Sequence, residues 1–227
     1  MASRRAPPPG DAAARADRGA AEDAGLGPWL QRMVANGVIR PFVLTLLRLV
    51  FKVRIEGRVP REACVIAAHH SSYFDGPLLG LVDRRVQPIF NRRFLDSRSF
   101  GWFFRAVGGI PTRSDTLTRA VEVIRAGGVV WIATAGFTPG EVQKRPRRGA
   151  ARIVQETGAP LVPMIVRGLE GIVHIGDIRP RHFRRLVRIV LGEPLTFPAG
   201  ATVAEITDAW LASIAGLMEA YPAAPRP

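Results

Sequence analysis

The 227-residue chain (24.7 kDa) carries 32 Lys+Arg against 19 Asp+Glu, a net charge of +13, and 47% of its residues are hydrophobic. This is the balance of one folded domain with a sizeable core, which excludes disordered and collagen-like chains, and the single Cys64 excludes an internal disulfide and a cysteine-built zinc site. The charge attracts polyanions, whether nucleic acid, an anionic membrane or a phosphorylated substrate. No specific nucleic acid is expected as a partner, because no recognition signature or basic–aromatic interleaving accompanies the charge and aromatics are only 7%.

Residues 1–24 balance Arg4, Arg5, Arg15 and Arg18 against Asp11, Asp17, Glu22 and Asp23 and show no apolar period, so they read as a disordered tail. No apolar core follows these arginines as it would in a secretory signal peptide, so the expected compartment is the cytoplasm. Residues 25–52 change character. Trp29, Leu30, Met33 and Val34 precede Gly37, and Pro41 opens an apolar run through Phe51, which predicts two short amphipathic helices. The run is interrupted by Arg48 and is shorter than the roughly 20 apolar residues a bilayer span needs. Arg32, Arg40, Arg48 and Lys52 punctuate it, as in helices lying in a membrane interface; packing into the core is the other reading of the same pattern.

Beyond residue 52 short β-rich runs alternate with helical periods. Strands are predicted over 53–56, 64–68, 86–90, 129–133, 161–166 and 186–191, and helices over 76–82, 97–107, 115–126, 148–157 and 203–219. Such alternation predicts an α/β fold: one layered, mixed β-sheet flanked by helices, preceded by the N-terminal two-helix segment.

One stretch carries chemistry. The apolar run Cys64-Val65-Ile66-Ala67-Ala68 ends abruptly in His69-His70-Ser71-Ser72-Tyr73-Phe74-Asp75, which places polar groups at the carboxyl end of a buried strand, where open α/β sheets bind ligands. With a helix starting near Ser72, the Asp75 carboxylate can turn back onto the His70 imidazole, the arrangement of a general base and its orienting partner. Ser72-x-x-Asp75 also fits a helix capping box, with His70 an ordinary loop residue. Cys64 lies inside the apolar strand and is a packing residue with a high pKa. His174 and His182 have no carboxylate at useful spacing and read as structural or surface residues, and Arg179, Arg181, Arg184, Arg185 and Arg188 form the densest basic cluster.

His70-x-x-x-x-Asp75 followed by Pro77-Leu78-Leu79 resembles the first motif of the glycerolipid acyltransferase family, which includes the lysophosphatidic acid (1-acylglycerol-3-phosphate) acyltransferases. Further matches come in the family's order. Gly108-Gly109-Ile110-Pro111-Thr112-Arg113 resembles the second motif, Pro146-Arg147-Arg148-Gly149-Ala150-Ala151 the basic stretch that opens the next helix, Pro160-Leu161-Val162-Pro163-Met164 the fourth motif, and Leu191-Gly192-Glu193-Pro194-Leu195 the late strand ending. The resemblance spans roughly residues 30–217. It departs at the third motif, Pro-Glu-Gly-Thr-Arg in the family, where Thr134-Ala135-Gly136-Phe137-Thr138 keeps the glycine but replaces the acidic and basic residues. His69 stands where asparagine is usual, and Arg113 follows Pro111 by two residues where three is common.

The resemblance implies that residues 53–227 form an acyltransferase domain. It implies transfer of a fatty acyl group from acyl-CoA or acyl carrier protein to a hydroxyl of a lysophospholipid or related lipid, with His70 as general base, Asp75 orienting it, and no covalent intermediate. Arg113, Arg147, Arg148, Gly109 and Gly136 are the implied substrate-binding residues. Neither a metal nor a resident cofactor is implied, and the implied location is peripheral, on the cytoplasmic face of a membrane. Ala135 and Thr138 keep a second reading open, a lipid- or thioester-binding protein of the same fold without turnover.

Overall fold

Seven strands form one sheet, in the order β1-β7-β6-β2-β5-β3-β4, in the computed structural model, which describes residues 30, 33–70, 72, 74–98, 101–135, 146–172 and 177–223. The strands are β1 Phe51–Glu56, β2 Cys64–His69, β3 Val86–Phe90, β4 Ile110–Pro111, β5 Val129–Ala135, β6 Leu161–Arg167 and β7 Arg185–Leu191. The helices are α1 Arg40–Val50, α2 Asp75–Val82, α3 Arg92–Leu95, α4 Gly101–Ala106, α5 Thr116–Arg125, α6 Gly149–Thr157 and α7 Val203–Ala220, and a π-helical turn Ala35–Ile39 leads into α1. All strand pairs are parallel except β6–β7, so β1 and β7 run against the other five and the sheet is mixed, as expected. Among the described residues no helix is long and apolar enough to cross a membrane.

The central strands are continuous apolar runs because both faces of the sheet are covered. All six residues of β2 are buried. One face packs under α1 and α2 through Leu47, Phe51, Leu78 and Trp131; the other packs under α5, α6 and α7 through Ile124, Ile153 and Trp210. Trp210 reaches the centre of the sheet, its Nε1–H donating to the Ala67 carbonyl at 3.0 Å. Local chemistry sets the helix ends. Thr202 and Glu205 cap α7 reciprocally, each side chain accepting the other's backbone N–H. Gly158 ends α6 in the left-handed region at φ 68°, where glycine pays no steric cost.

Three boundaries differ from the sequence expectation. The helix expected over 97–107 is only α4, Gly101–Ala106, and a separate helical turn that was not expected, α3, precedes it over Arg92–Leu95. The Asn91 side chain starts α3 by accepting the Arg93 N–H at 3.1 Å, and Gly101 starts α4 so close to the Leu95 carbonyl that a Cβ there would lie 2.2 Å from its oxygen. The first strand begins at Phe51 rather than 53, because Phe51 is fully buried and pairs with Arg185. Ile110 and Pro111, read only as part of a turn motif, form a short edge strand beside β3. The tail over 1–24 lies outside the described residues.

Candidate active site

Strand β2 ends at an irregularity in its ladder. Ala68 pairs with Ala133 of β5 but His69 pairs with Ala135, so Thr134 is passed over and its hydroxyl donates to the Ala68 carbonyl at 3.3 Å. The extra residue belongs to β5, the strand that such a bulge bends. His70 follows β2 at the carboxyl-terminal edge of the five co-directional strands, the edge where open α/β sheets bind ligands.

Helix α2 begins five residues after His70, at Asp75. Asp75 Oδ2 lies 3.0 Å from His70 Nδ1 and also accepts the Ser72 backbone N–H at 3.2 Å. The Asp75 N–H donates to the Ser72 carbonyl at 3.0 Å, and Ser72 Oγ accepts the Phe74 N–H at 3.2 Å. The Ser72 turn and the His70 contact are therefore one structure, since the same carboxylate oxygen closes the turn and faces the imidazole, while α2 itself has Phe74 at its N-cap and no side-chain cap. The Asp75 side chain is 1% exposed and that of His70 19%, so the carboxylate is locked in the interior while the ring reaches the surface. With Nδ1–H assigned as donor to the carboxylate, the lone pair sits on Nε2.

An apolar groove runs along the helix that Asp75 opens, lined from Gly76 onward and by neither His70 nor Asp75. It follows α2 from Gly76 to Gly80 and is walled by Val43 and Leu44 of α1, Pro88 and Phe90 of β3, and Phe104 of α4. Gly80 gives α1 room to approach, since a Cβ there would lie 3.0 Å from Leu44 Cδ2. Arg40 is the charged lining residue. Its pKa is lowered, first by burial and then by nearby Arg84, and Nη2 donates to the Asp83 carbonyl at 3.4 Å.

The arginines expected to meet a phosphate share this edge of the sheet but are spread along it. Arg147 is tied to the end of β5, its backbone N–H donating to the Thr134 carbonyl at 2.7 Å, and Arg148 precedes the first turn of α6; both are exposed. Arg113 follows β4, three strand spacings or about 14 Å from β2. It pairs with Asp96 at 3.1 Å. Gly109 has a packing reason of its own, as a Cβ there would lie 2.6 Å from the Phe104 carbonyl oxygen. Gly136, Thr138 and His174 lie outside the described residues. Cys64 is buried, and burial pushes its thiol up to about 12, which leaves it protonated and packing as a small apolar group.

Residues 50–167, more than half of the chain, match the model of the family described as Acyltransferase. The chain belongs to the acyltransferase family. A curated relative, the chloroplastic 1-acyl-sn-glycerol-3-phosphate acyltransferase BAT2 of Brassica napus, is 26% identical over 132 residues, which cover 51% of this chain and 38% of that protein. The chain thus matches well under half the length of this curated relative. The crystal structure of the 1-acyl-sn-glycerophosphate acyltransferase PlsC from Thermotoga maritima superposes with a TM-score of 0.67 at 17% identity, over 95% of this chain and 90% of that one, a likeness that concerns the fold.

Within this acyltransferase-family fold, two features of the site escaped the sequence. Trp131 of β5 stands edge to face with His70, ring centroids 6.0 Å apart. A tryptophan inside a strand run signals bulk but not direction. The groove was equally unreadable, because its walls come from α1, α2, α4 and β3; its traces in the sequence are the glycines Gly76 and Gly80 of α2.

Proposed function

We propose that this chain transfers a fatty acyl group from an acyl thioester, on coenzyme A or acyl carrier protein, to a hydroxyl of a lysophosphatidic-acid-like lipid. The observation that carries the reading is the 3.0 Å contact between His70 Nδ1 and the buried Asp75 carboxylate, at the start of the helix along which an apolar groove runs, in a chain of this family. In this mechanism the acceptor hydroxyl gives its proton to His70 Nε2 while its oxygen attacks the thioester carbonyl. The tetrahedral adduct then collapses, the C–S bond breaks, and the departing thiolate takes the proton back from the imidazolium. An ester C–O bond replaces the thioester bond with no covalent enzyme intermediate. Asp75 holds the ring and balances its transient positive charge, and general-base assistance of this kind is worth about 10²- to 10⁴-fold.

The groove receives the acyl chain, and Arg113, Arg147 and Arg148 provide guanidinium forks for the acceptor phosphate, with Gly109 and Gly136 shaping the adjoining turns. Helix α1 docks the chain peripherally on the cytoplasmic face of a membrane. Its outward side supports this reading: Phe42 is 67% exposed, Leu46 and Leu49 are exposed beside it, and Arg48 lies among them. The test is thiol release from a long-chain acyl-CoA on liposomes carrying lysophosphatidic acid, comparing the native chain with His70→Ala and identifying the lipid product by mass spectrometry. Phosphatidic acid formed only with His70 intact is the expected result. Lysolipid binding without product would favour the second reading, a binder without turnover, which rests on Ala135 at the end of β5 where the family's motif has an acidic residue.

A further inference from the structure

Between Asp177 and Glu193 the chain has five arginines and no acidic residue, and in the middle of them stands Phe183, 56% exposed. Its neighbours show how it is held outward. His182 is buried, its Nδ1 accepting the Arg179 backbone N–H at 2.9 Å, and this pins the 3₁₀ turn Pro180–His182 beneath the phenyl ring's residue. Phe183 has φ −62° and ψ 134° and Arg184 has φ 61°, which places an arginine in the left-handed region that ordinarily favours glycine. Arg184 is the one residue other than glycine with positive φ among the described residues. A strained arginine where glycine costs less calls for a functional account.

The tip is fastened to α1. The Arg184 N–H donates to the carbonyl of Val50, the last residue of α1, at 2.6 Å, and Arg185 pairs with Phe51. Phe183 and Leu49 are therefore each one residue from the two ends of a single backbone hydrogen bond, and both are exposed apolar side chains. Arg179, Arg181 and Arg184 are exposed around Phe183, as Arg48 is beside Leu49. Arg185, by contrast, is half-buried and held by Glu170 at 3.4 Å, so it belongs to the frame of the turn.

We propose that the turn 182–185 is a second membrane foot, in which Phe183 enters the apolar boundary of an anionic bilayer while Arg181 and Arg184 engage lipid phosphates. The proposal rests on the membrane reading of α1 given above and adds a contact point to it. Charge complementarity and continuity with the apolar side of α1 select the occupant. A neutral or acidic solvated surface would need neither the phenyl ring nor a cation at the left-handed position, whereas an interfacial wedge uses both.

The full chain is tested by co-sedimentation with vesicles of pure phosphatidylcholine and of an equimolar phosphatidylcholine–phosphatidylglycerol mixture. Phe183→Ala lowers partition onto both by about tenfold. Arg184→Gly lowers partition onto the anionic vesicles alone, by about fivefold, while raising the thermal midpoint because the turn strain is relieved. In Phe183→Trp the added emission is quenched by brominated lipid. The proposal is overturned by an unquenched tryptophan, or by unchanged partition of Phe183→Ala when Leu46→Ser/Leu49→Ser releases the protein; that pattern leaves the α1 reading standing. A native chain that binds neither vesicle removes both readings, and Phe183→Ala that impairs only the use of acyl carrier protein assigns the turn to an acidic protein and overturns it too.

Discussion

The rings of His70 and Trp131 meet edge to face, centroids 6.0 Å apart and planes at 75°. Trp131 sits mid-strand in β5 opposite Ile66, so the wall behind the imidazole is as rigid as the sheet itself. Its indole Nε1 is buried without a hydrogen-bond partner among the described residues. Trp131→Phe keeps an aromatic face against the ring and removes a stranded donor that costs about 1–3 kcal/mol, which offsets much of the lost volume. Urea unfolding is expected to place this variant within about 1 kcal/mol of the native chain, whereas Trp131→Ala loses about 3–5 kcal/mol. A large loss in the Phe variant would show that the indole N–H has a partner.

Asp75 separates fold from chemistry through one oxygen. Asp75→Asn retains a side-chain acceptor for the Ser72 N–H, so the start of α2 and the thermal midpoint persist. It withdraws the carboxylate charge that faces His70, and acyl transfer is expected to fall by at least about 10²-fold. Turnover near the native rate in a folded Asp75→Asn protein would refute the assignment of Asp75 as the orienting group.

Gly80 controls how much of the groove is open, because its missing side chain faces Leu44 and Arg40. Gly80→Ala puts a methyl 3.0 Å from Leu44 Cδ2, narrows the groove at that point and selects against long chains, so that rates with long-chain thioesters drop more than those with short-chain donors. A donor profile that does not change with chain length would place the acyl chain elsewhere.

Burial, then the cations Arg181, Arg185 and Arg179, lower the pKa of His182 below its usual value. The unfolded chain therefore binds a proton before the folded one does, and stability declines as pH falls below about 6.5 until the lower folded value is reached. His182→Gln, which retains an acceptor for the Arg179 N–H, flattens that part of the stability curve. Equal slopes for the two proteins in denaturant titrations between neutral and mildly acid pH would remove His182 as the origin.

The residues that announced the fold were those whose neighbours in sequence are also neighbours in space. The buried run from Cys64, its abrupt polar end at His69 and His70, and the return to Asp75 all lie within twelve residues, so strand, turn and imidazole–carboxylate contact could be read together. The late start of α4 could not, because it depends on Gly101 meeting the Leu95 carbonyl, a contact of tertiary origin. Nor could the reversal of β7 against β6, since the loop before β7 has no periodic signal that fixes direction. The arginines were legible as cations but not as positions: composition cannot tell Arg113, paired with Asp96, from Arg147, exposed at the end of β5.

Val50 ends α1 and Phe51 begins β1, with no residue between them. Because Phe51 is fully buried and in register with Arg185, this junction has no slack and works as a weld rather than a hinge. The sheet therefore shares the tilt of the helix, and the height of His70 above any surface on which α1 rests is fixed by the architecture rather than by a linker.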